Sequence, residues 1–185
     1  MFVVITDELA RLLDLSLRAP EPTVDDDWSV PAGDLEWSCW STLDHTIDCL
    51  FSYVMQLASE AHAGFLPFNE LHAQPDARPV DLLAGLRGVG TMLVAVARDA
   101  APGATASDGV LPLDLADWCA RGAYELVLHT DDVLAGLGAR WDVPTELCQS
   151  ILESPALWMV DRSRAAEAED GWHSLILGSG RRLRD

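Results

Sequence analysis

The chain has 185 residues and a formal net charge of −18, with 30 acidic residues against 12 basic ones, all of them arginine. This length favours a single domain, and this charge repels nucleic-acid backbones and anionic lipid surfaces. The absence of lysine excludes Schiff-base catalysis and a phosphate-binding P-loop. We therefore expect no nucleic-acid partner and no membrane partner.

The first residues, MFVVITDELARLLD, lack the basic segment of a secretory signal. No apolar run approaches the roughly eighteen residues that would span a bilayer. The four cysteines form no Cys-x-x-Cys pair, which argues against a disulfide framework or a zinc knuckle; they are Cys39, Cys49, Cys119 and Cys148. We expect a cytoplasmic protein with reduced thiols.

Apolar residues recur at helical spacing along most of the chain, and alternating patterns typical of strands are missing. Proline, glycine and N-cap signals divide the chain into four long helices, and Ser38 is the expected N-cap of the second. Residues 64–78 and the segment PGATASDG are predicted to be loops. The four helices are predicted over residues 6–18, 39 to about 63, 79 to about 102, and 114 to about 137.

Four amphipathic helices without strands predict an all-α fold, a four-helix bundle over residues 1–140. Residues 141–185 are predicted to form a helical extension that packs on the bundle, so that the chain is one domain overall. Its shorter helices are expected over residues 144–153, after Pro155, and around GWHSLILGSG. Trp158 and Trp172 are expected to dock them onto the bundle.

The fourth helix carries a polar ladder, Arg121, Glu125, His129 and Asp132, between apolar flanks. Spacings of four, four and three place these residues on one face, where burial without partners would cost several kcal/mol. One interpretation is a solvated face on which Arg121 pairs with Glu125, and His129 with Asp132. The other is a metal site, in which Glu125 and His129 are ligands and Asp132 orients the imidazole.

A metal site needs a third ligand from another helix. Periodicity leaves the choice open, because His45 falls away from the apolar stripe of its helix and is expected at the surface. His62, His72 and His173 lie at a helix end, in a loop and in the tail, where structural or solvent-exposed roles are expected. Cys49, one turn after His45, is either a fourth ligand or a small apolar residue at a helix interface.

Two segments, EWSCWSTLDH (residues 36–45) and WCARGAYELVLHTDDV (118–133), resemble the DinB-like metal-binding bundles, specifically the N-terminal domain of mycothiol-dependent maleylpyruvate isomerases. The tail GWHSLILGSGR is also similar to an ending found in that group. The resemblance covers roughly residues 5–140. It implies a divalent metal, usually zinc, bound by His45, Glu125 and His129, with Asp132 and Arg121 supporting the ligands.

The resemblance also implies that the metal activates a small thiol such as mycothiol, which then attacks a small electrophile in a transfer or an isomerisation. The sequence departs from the isomerases after the bundle, where about 40 residues replace a separate domain that contributes an active-site arginine. No motif assigns that role here to any of the nearby arginines, which are Arg162, Arg164, Arg181 and Arg182. An alternative is a non-catalytic metal-binding or interaction protein on the same bundle, forming a homodimer through an exposed helix face.

Overall fold

The computed structural model describes residues 6–67 and 70–184, and this part of the chain is mostly helical, as predicted. Its helices are α1 (Thr6–Arg18), α2 (Cys39–Ala58), α3 (Pro79–Asp99), α4 (Leu115–Gly136), α5 (Thr145–Leu152), α6 (Arg162–Ala165) and α7 (Gly171–Gly178). A single turn of 3₁₀ helix covers Glu21–Thr23. Two short strands, β1 (Thr105–Ser107) and β2 (Pro112–Asp114), pair antiparallel.

The four long helices share one core. α1 and α2 each pack against both α3 and α4, and α7 packs against both α5 and α6, with α5 also in contact with α4. The helices meet through leucines that are almost completely buried: Leu9, Leu12, Leu50, Leu86, Leu93 and Leu126. Each such side chain contributes roughly 1.5–3 kcal/mol on removal from water, so their apolar stripes determine how these helices associate.

The start of α2 is as predicted, and its end is not. The Ser38 side chain accepts a hydrogen bond from the backbone N–H of Ser41 at 3.0 Å, which confirms the N-cap. The helix ends at Ala58, about five residues earlier than expected, because Glu60 adopts a φ of +46°. The N–H of Ala61 then bonds back to the carbonyl of Gln56, the closing bond of a Schellman motif. This position at a helix end is usually occupied by glycine, so the glutamate did not mark the end of α2 in the sequence.

The hairpin of β1 and β2 corrects the expectation that no strand is present. Thr105 lies opposite Asp114 in the register. Between the strands, Asp108 accepts backbone hydrogen bonds from Val110 and Leu111, and Gly109 takes a φ of +86°. Strands of three residues are too short to show a periodic pattern, which is why the sequence did not indicate them.

The C-terminal helices lie near their predicted positions, although α6 is only one turn long. Trp172 is partly buried against the core, as expected. Trp158 is not a docking residue: its side chain is 61% exposed, and its indole N–H donates to Asp108 at 3.4 Å.

One helix among the described residues, α3, is long and apolar enough to cross a membrane by length and composition alone. This corrects the expectation that no segment reaches that length, since only Asp81 and Arg87 interrupt its apolar composition over residues 79–96. A core helix passes the same test. Here Leu82, Leu86 and Leu93 of α3 are buried against the neighbouring helices.

Candidate metal centre

His45 of α2 and Glu125 and His129 of α4 converge at one point between the two helices. One ligand atom from each of them lies within 4.8 Å of the others. His129 Nε2 and Glu125 Oε2 are 3.2 Å apart, as expected for residues one helical turn apart, and the His45 and His129 rings meet edge to face with centroids at 5.3 Å. The structure therefore brings together the three residues that the resemblance implied.

The other histidines have separate surroundings. His72 Nδ1 lies 2.8 Å from Asp44 and its Nε2 lies 3.0 Å from Glu70. His173 pairs with Asp170, and His62 is exposed. None of the three belongs to the converging group, in agreement with their expected structural or solvent-exposed roles.

His45 is half-buried, although its position off the apolar stripe predicted a surface residue. Its ring is packed edge-on by Trp37, with centroids at 4.8 Å, and by His129 on α4. Burial and the neighbouring His129 lower the pKa of His45, so its imidazole stays neutral, the form that binds metals. The apolar spacing within α2 misplaced His45 at the surface, because the side chains that bury it come from outside that helix: Trp37 from the preceding loop and His129 from α4.

Glu125 is an ionised carboxylate whose side chain is only 14% exposed. Tyr53 donates a hydrogen bond to its Oε1 at 3.0 Å, and His129 lies beside Oε2. Burial acts to raise the pKa of Glu125, but the contacts with His129 and Tyr53 outweigh it and lower that pKa. Burial and the adjacent Glu125 raise the pKa of Tyr53, so its hydroxyl remains a donor.

Asp132 connects His129 to the end of the chain. Its Oδ2 lies 3.2 Å from Nδ1 of His129, and Arg181 donates to both of its oxygens, at 2.9 Å from Nε and 2.5 Å from Nη2. Burial disfavours a charge on His129, but its hydrogen bonds with Asp132 and Glu125 outweigh this effect and raise its pKa. Asp132 therefore contacts the imidazole as predicted.

Like Tyr53, Arg181 contacts this centre although no sequence motif assigned it a role there. It lies 49 positions after Asp132, and no spacing rule connects the two. The available signal was chemical: a buried aspartate on an inward-facing stripe requires a cation, and every cation in this sequence is an arginine.

Arg121 does not form the expected ion pair with Glu125. Within the described residues, its guanidinium pairs with Asp108 of the hairpin turn and donates to the carbonyl of Ala156 at 3.2 Å. Arg121 and Asp132 are both buried, so the ladder is not a solvated ion-pair face either. The structure assigns Arg121 to the contact between α4, the hairpin and the segment before α6.

Cys49 lies beside His45, with its sulfur 3.4 Å from Nε2. It does not belong to the group of ligand atoms within 4.8 Å of one another. Burial, followed by the nearby Glu125, raises the pKa of this thiol. All four cysteines are free, as expected.

Models of known protein families, curated proteins and solved structures were compared with this chain, and none of them matches it. A functional assignment therefore depends on the chemistry of the centre itself. Two imidazoles and one carboxylate are a donor set suited to a divalent transition metal.

Proposed function

We propose that this chain is a divalent-metal-binding protein of the DinB-like four-helix type and that His45, Glu125 and His129 bind zinc. The convergence of these three side chains within 4.8 Å carries the proposal. Ligand atoms on a tetrahedral zinc ion are roughly 3.4 Å apart, given bonds of about 2.0–2.2 Å. The separation of 3.2 Å between His129 Nε2 and Glu125 Oε2 already fits, and the His45 ligand atom lies within 4.8 Å of both.

The composition of the donor set favours a catalytic ion over a structural one. Catalytic zinc sites use three protein ligands and leave a fourth position open, whereas structural sites are closed by four ligands, mostly cysteines. The contact between Asp132 and Nδ1 of His129 is the arrangement that orients a ligating imidazole. Glu125 and His129 keep 14% and 13% of their side-chain surface exposed, so neither is completely shut off from solvent.

The competing interpretation is an ion-pair network without metal, which runs from Glu125 through His129 and Asp132 to Arg181. That network pairs all four of these side chains, but it does not explain why His45 lies beside them. The ring and hydrogen-bond contacts of His45 within the described residues are with Trp37, His129 and the Cys49 sulfur, and His45 forms no ion pair there. A neutral imidazole that faces a second histidine is what a metal-binding pair requires, which supports the metal.

We further propose that the centre serves a thiol-dependent transferase or isomerase acting on a small electrophile. A divalent ion bound there would supply Lewis-acid activation of a thiol such as mycothiol, lowering its pKa so that the thiolate becomes the nucleophile. In a transfer, the sulfur forms a bond to carbon, the leaving group departs and the thiol proton passes to solvent. In an isomerisation, the thiolate adds to a cis double bond and is eliminated again after rotation.

The residues around the proposed metal site then have different roles. Tyr53 holds Glu125 in place, Asp132 holds His129 in place, and Trp37 packs edge-on against His45. Such chemistry suits a cytoplasmic protein, where low-molecular-weight thiols are kept reduced.

Elemental analysis tests the metal site. The full chain is purified without chelator and without a histidine tag, as wild type, His129→Ala and the control His62→Ala. Near-stoichiometric zinc in wild type and His62→Ala, lost in His129→Ala, is the expected result. A wild type that neither retains zinc nor takes it up on reconstitution contradicts the proposal.

A second measurement tests the activity. Zinc-loaded protein is incubated with mycothiol and an aryl halide, or with mycothiol and maleylpyruvate, and thioether or trans product is followed. Consumption of thiol or isomerisation by wild type and not by His129→Ala is expected. Stoichiometric zinc without any turnover would favour the non-catalytic metal-binding alternative.

A further inference from the structure

A second candidate site lies where α4 ends, and none of the three proposed metal ligands lines it. Here a cavity of about 410 Å³ opens between the end of α4, the segment after it, α7 and the C-terminal residues. A volume of this size falls in the range of small-molecule binding sites, roughly 300–1,000 Å³. Its apolar wall includes Trp141, Trp172 and Ile176.

The charged part of the wall is unusual for this chain. Three of the 12 arginines line the cavity, Arg140, Arg182 and Arg184, against two acids, Asp131 and Asp142. Arg184 is paired with Asp131 at 2.6 Å and also lies 3.7 Å from Asp132. Arg140 and Arg182 then face one remaining acid of the wall, Asp142, and this local excess of positive charge favours an anion in a molecule of net charge −18.

Two of these cations have no partner within the part of the chain that the structure describes. Arg140 and Arg182 are exposed, and neither makes a hydrogen bond or an ion pair there. His173, at the edge of the cavity, is already occupied by Asp170. The free guanidinium groups are therefore Arg140 and Arg182, and a guanidinium binds a carboxylate through two parallel hydrogen bonds.

The aromatic part of the wall adds a second observation. Trp141 and Trp172 line the same cavity as Arg140 and Arg182. Tryptophan rings offer large apolar surfaces against which a flat ring can pack.

We propose that this cavity binds a small organic anion with a flat ring. Its carboxylate pairs with Arg140 and Arg182, and its ring packs against Trp141 and Trp172. None of the proposed metal ligands lines this cavity, and the proposal does not depend on the function proposed for the metal centre.

Isothermal titration calorimetry with benzoate as the probe tests this site on the full chain. Benzyl alcohol, which has the ring without the charge, and inorganic phosphate, which has the charge without the ring, are the matched probes. Because a carboxylate can also bind an open zinc position, the titrations use chelator-treated wild type and the His45→Ala variant. Benzoate should bind both proteins equally well and more tightly than either control probe.

The variants separate specific pairing from general electrostatics. Arg140→Gln combined with Arg182→Gln should weaken benzoate binding at least about tenfold, because both carboxylate partners are lost. Arg87→Gln is the control, since Arg87 is an exposed arginine on α3 and does not line the cavity. It removes a positive charge and should leave benzoate affinity unchanged. Thermal unfolding of each variant checks that the fold is retained.

Three results would overturn the proposal. The first is no benzoate binding at millimolar concentration in chelator-treated wild type. The second is phosphate binding as tight as that of benzoate, which would leave the tryptophan wall without a role. The third is a loss of binding free energy in Arg87→Gln that is half or more of the loss in the double variant, which would mean that only net charge matters, since the double variant removes two charges and Arg87→Gln one.

Discussion

Arg181 binds both carboxylate oxygens of Asp132, the same carboxylate that contacts Nδ1 of His129. Burial acts to raise the pKa of Asp132, but its hydrogen bonds with Arg181 and His129 outweigh that effect and lower the pKa. The aspartate therefore stays ionised while only 1% exposed. Arg181 thus stabilises the charge of Asp132, which in turn orients the proposed ligand His129 on α4.

Replacement of Arg181 by glutamine should weaken zinc binding without removing a ligand. Asp132 would lose its closest cation and hold His129 less firmly, and the loss of such supporting contacts typically lowers metal affinity about 10–100-fold. The free energy of unfolding should also fall, by at most about 3–5 kcal/mol, because the buried carboxylate keeps only His129 and the more distant Arg184, at 3.7 Å. Competition with a zinc chelator and urea unfolding measure the two effects.

Arg182→Gln is the matched control for zinc affinity, because the neighbouring Arg182 is exposed and makes no contact with Asp132 among the described residues. If both variants keep the wild-type affinity for zinc, Arg181 does not position His129.

Arg121→Met should destabilise the fold and leave the zinc content unchanged. Its partner Asp108 is buried, and breaking a buried ion pair from one side costs about 3–5 kcal/mol. Arg78→Met removes an exposed partner of Asp81 and should cost less than about 1 kcal/mol. Urea unfolding compares the two, and loss of zinc from folded Arg121→Met would show that Arg121 supports the metal centre after all.

The same buried pair predicts a loss of stability in acid. Burial acts to raise the pKa of Asp108, but hydrogen bonds from the backbone of Leu111 and Val110, and then the charge of Arg121, lower it. A carboxylate with a lowered folded pKa contributes stability above its unfolded pKa, about 3.9, and loses it as the pH falls through the folded value.

The free energy of unfolding should therefore decline more steeply in wild type than in Asp108→Asn below about pH 4. Urea unfolding at a series of pH values measures this slope. Asp76→Asn, at an exposed loop position, is the control and should follow the wild-type curve. Parallel curves for wild type and Asp108→Asn would contradict the prediction.

Close packing at the end of α4 predicts opposite effects for two glycine substitutions. A Cβ atom at Gly136 would lie 2.6 Å from the Cys39 sulfur and closer still to the carbonyl oxygen of Pro31, whereas a Cβ at Gly88 on α3 would meet nothing within 4 Å. Gly136→Ala should cost about 1–3 kcal/mol through overpacking. Gly88→Ala should add about 0.5–1 kcal/mol through its better helix propensity. Urea midpoints that move in the same direction would contradict this packing.

The parts of the molecule that the sequence predicted are those set by local spacing. α1, the Ser38 cap and the shared face of Glu125, His129 and Asp132 follow from residues within one or two helical turns. His45 required the resemblance, because its position off the apolar stripe indicated a surface residue.

What the sequence could not predict depends on contacts between distant residues. Arg121 and Asp108 are 13 positions apart and Arg181 and Asp132 are 49 apart, so no periodic pattern records either pair. The end of α2 was misplaced for a different reason: Glu60 takes a left-handed conformation that usually belongs to glycine.

The role of Cys49 decides whether the proposed zinc has an open position. Its sulfur contacts His45 but lies outside the converging ligand group, so we expect a hydrogen-bonding role only. Cys49→Ala should retain stoichiometric metal, as should the control Cys119→Ala, which changes a buried cysteine of α4. Elemental analysis measures retention in both variants.

Reconstitution with cobalt in place of zinc makes the ligand set visible, since a coordinated thiolate adds a strong sulfur-to-metal charge-transfer absorption in the near ultraviolet. The cobalt spectra of wild type and Cys49→Ala should both lack this band. A band in wild type that disappears in Cys49→Ala would identify Cys49 as a fourth ligand. The centre would then be closed by four protein ligands, as structural sites are, and would have no position for a thiol substrate.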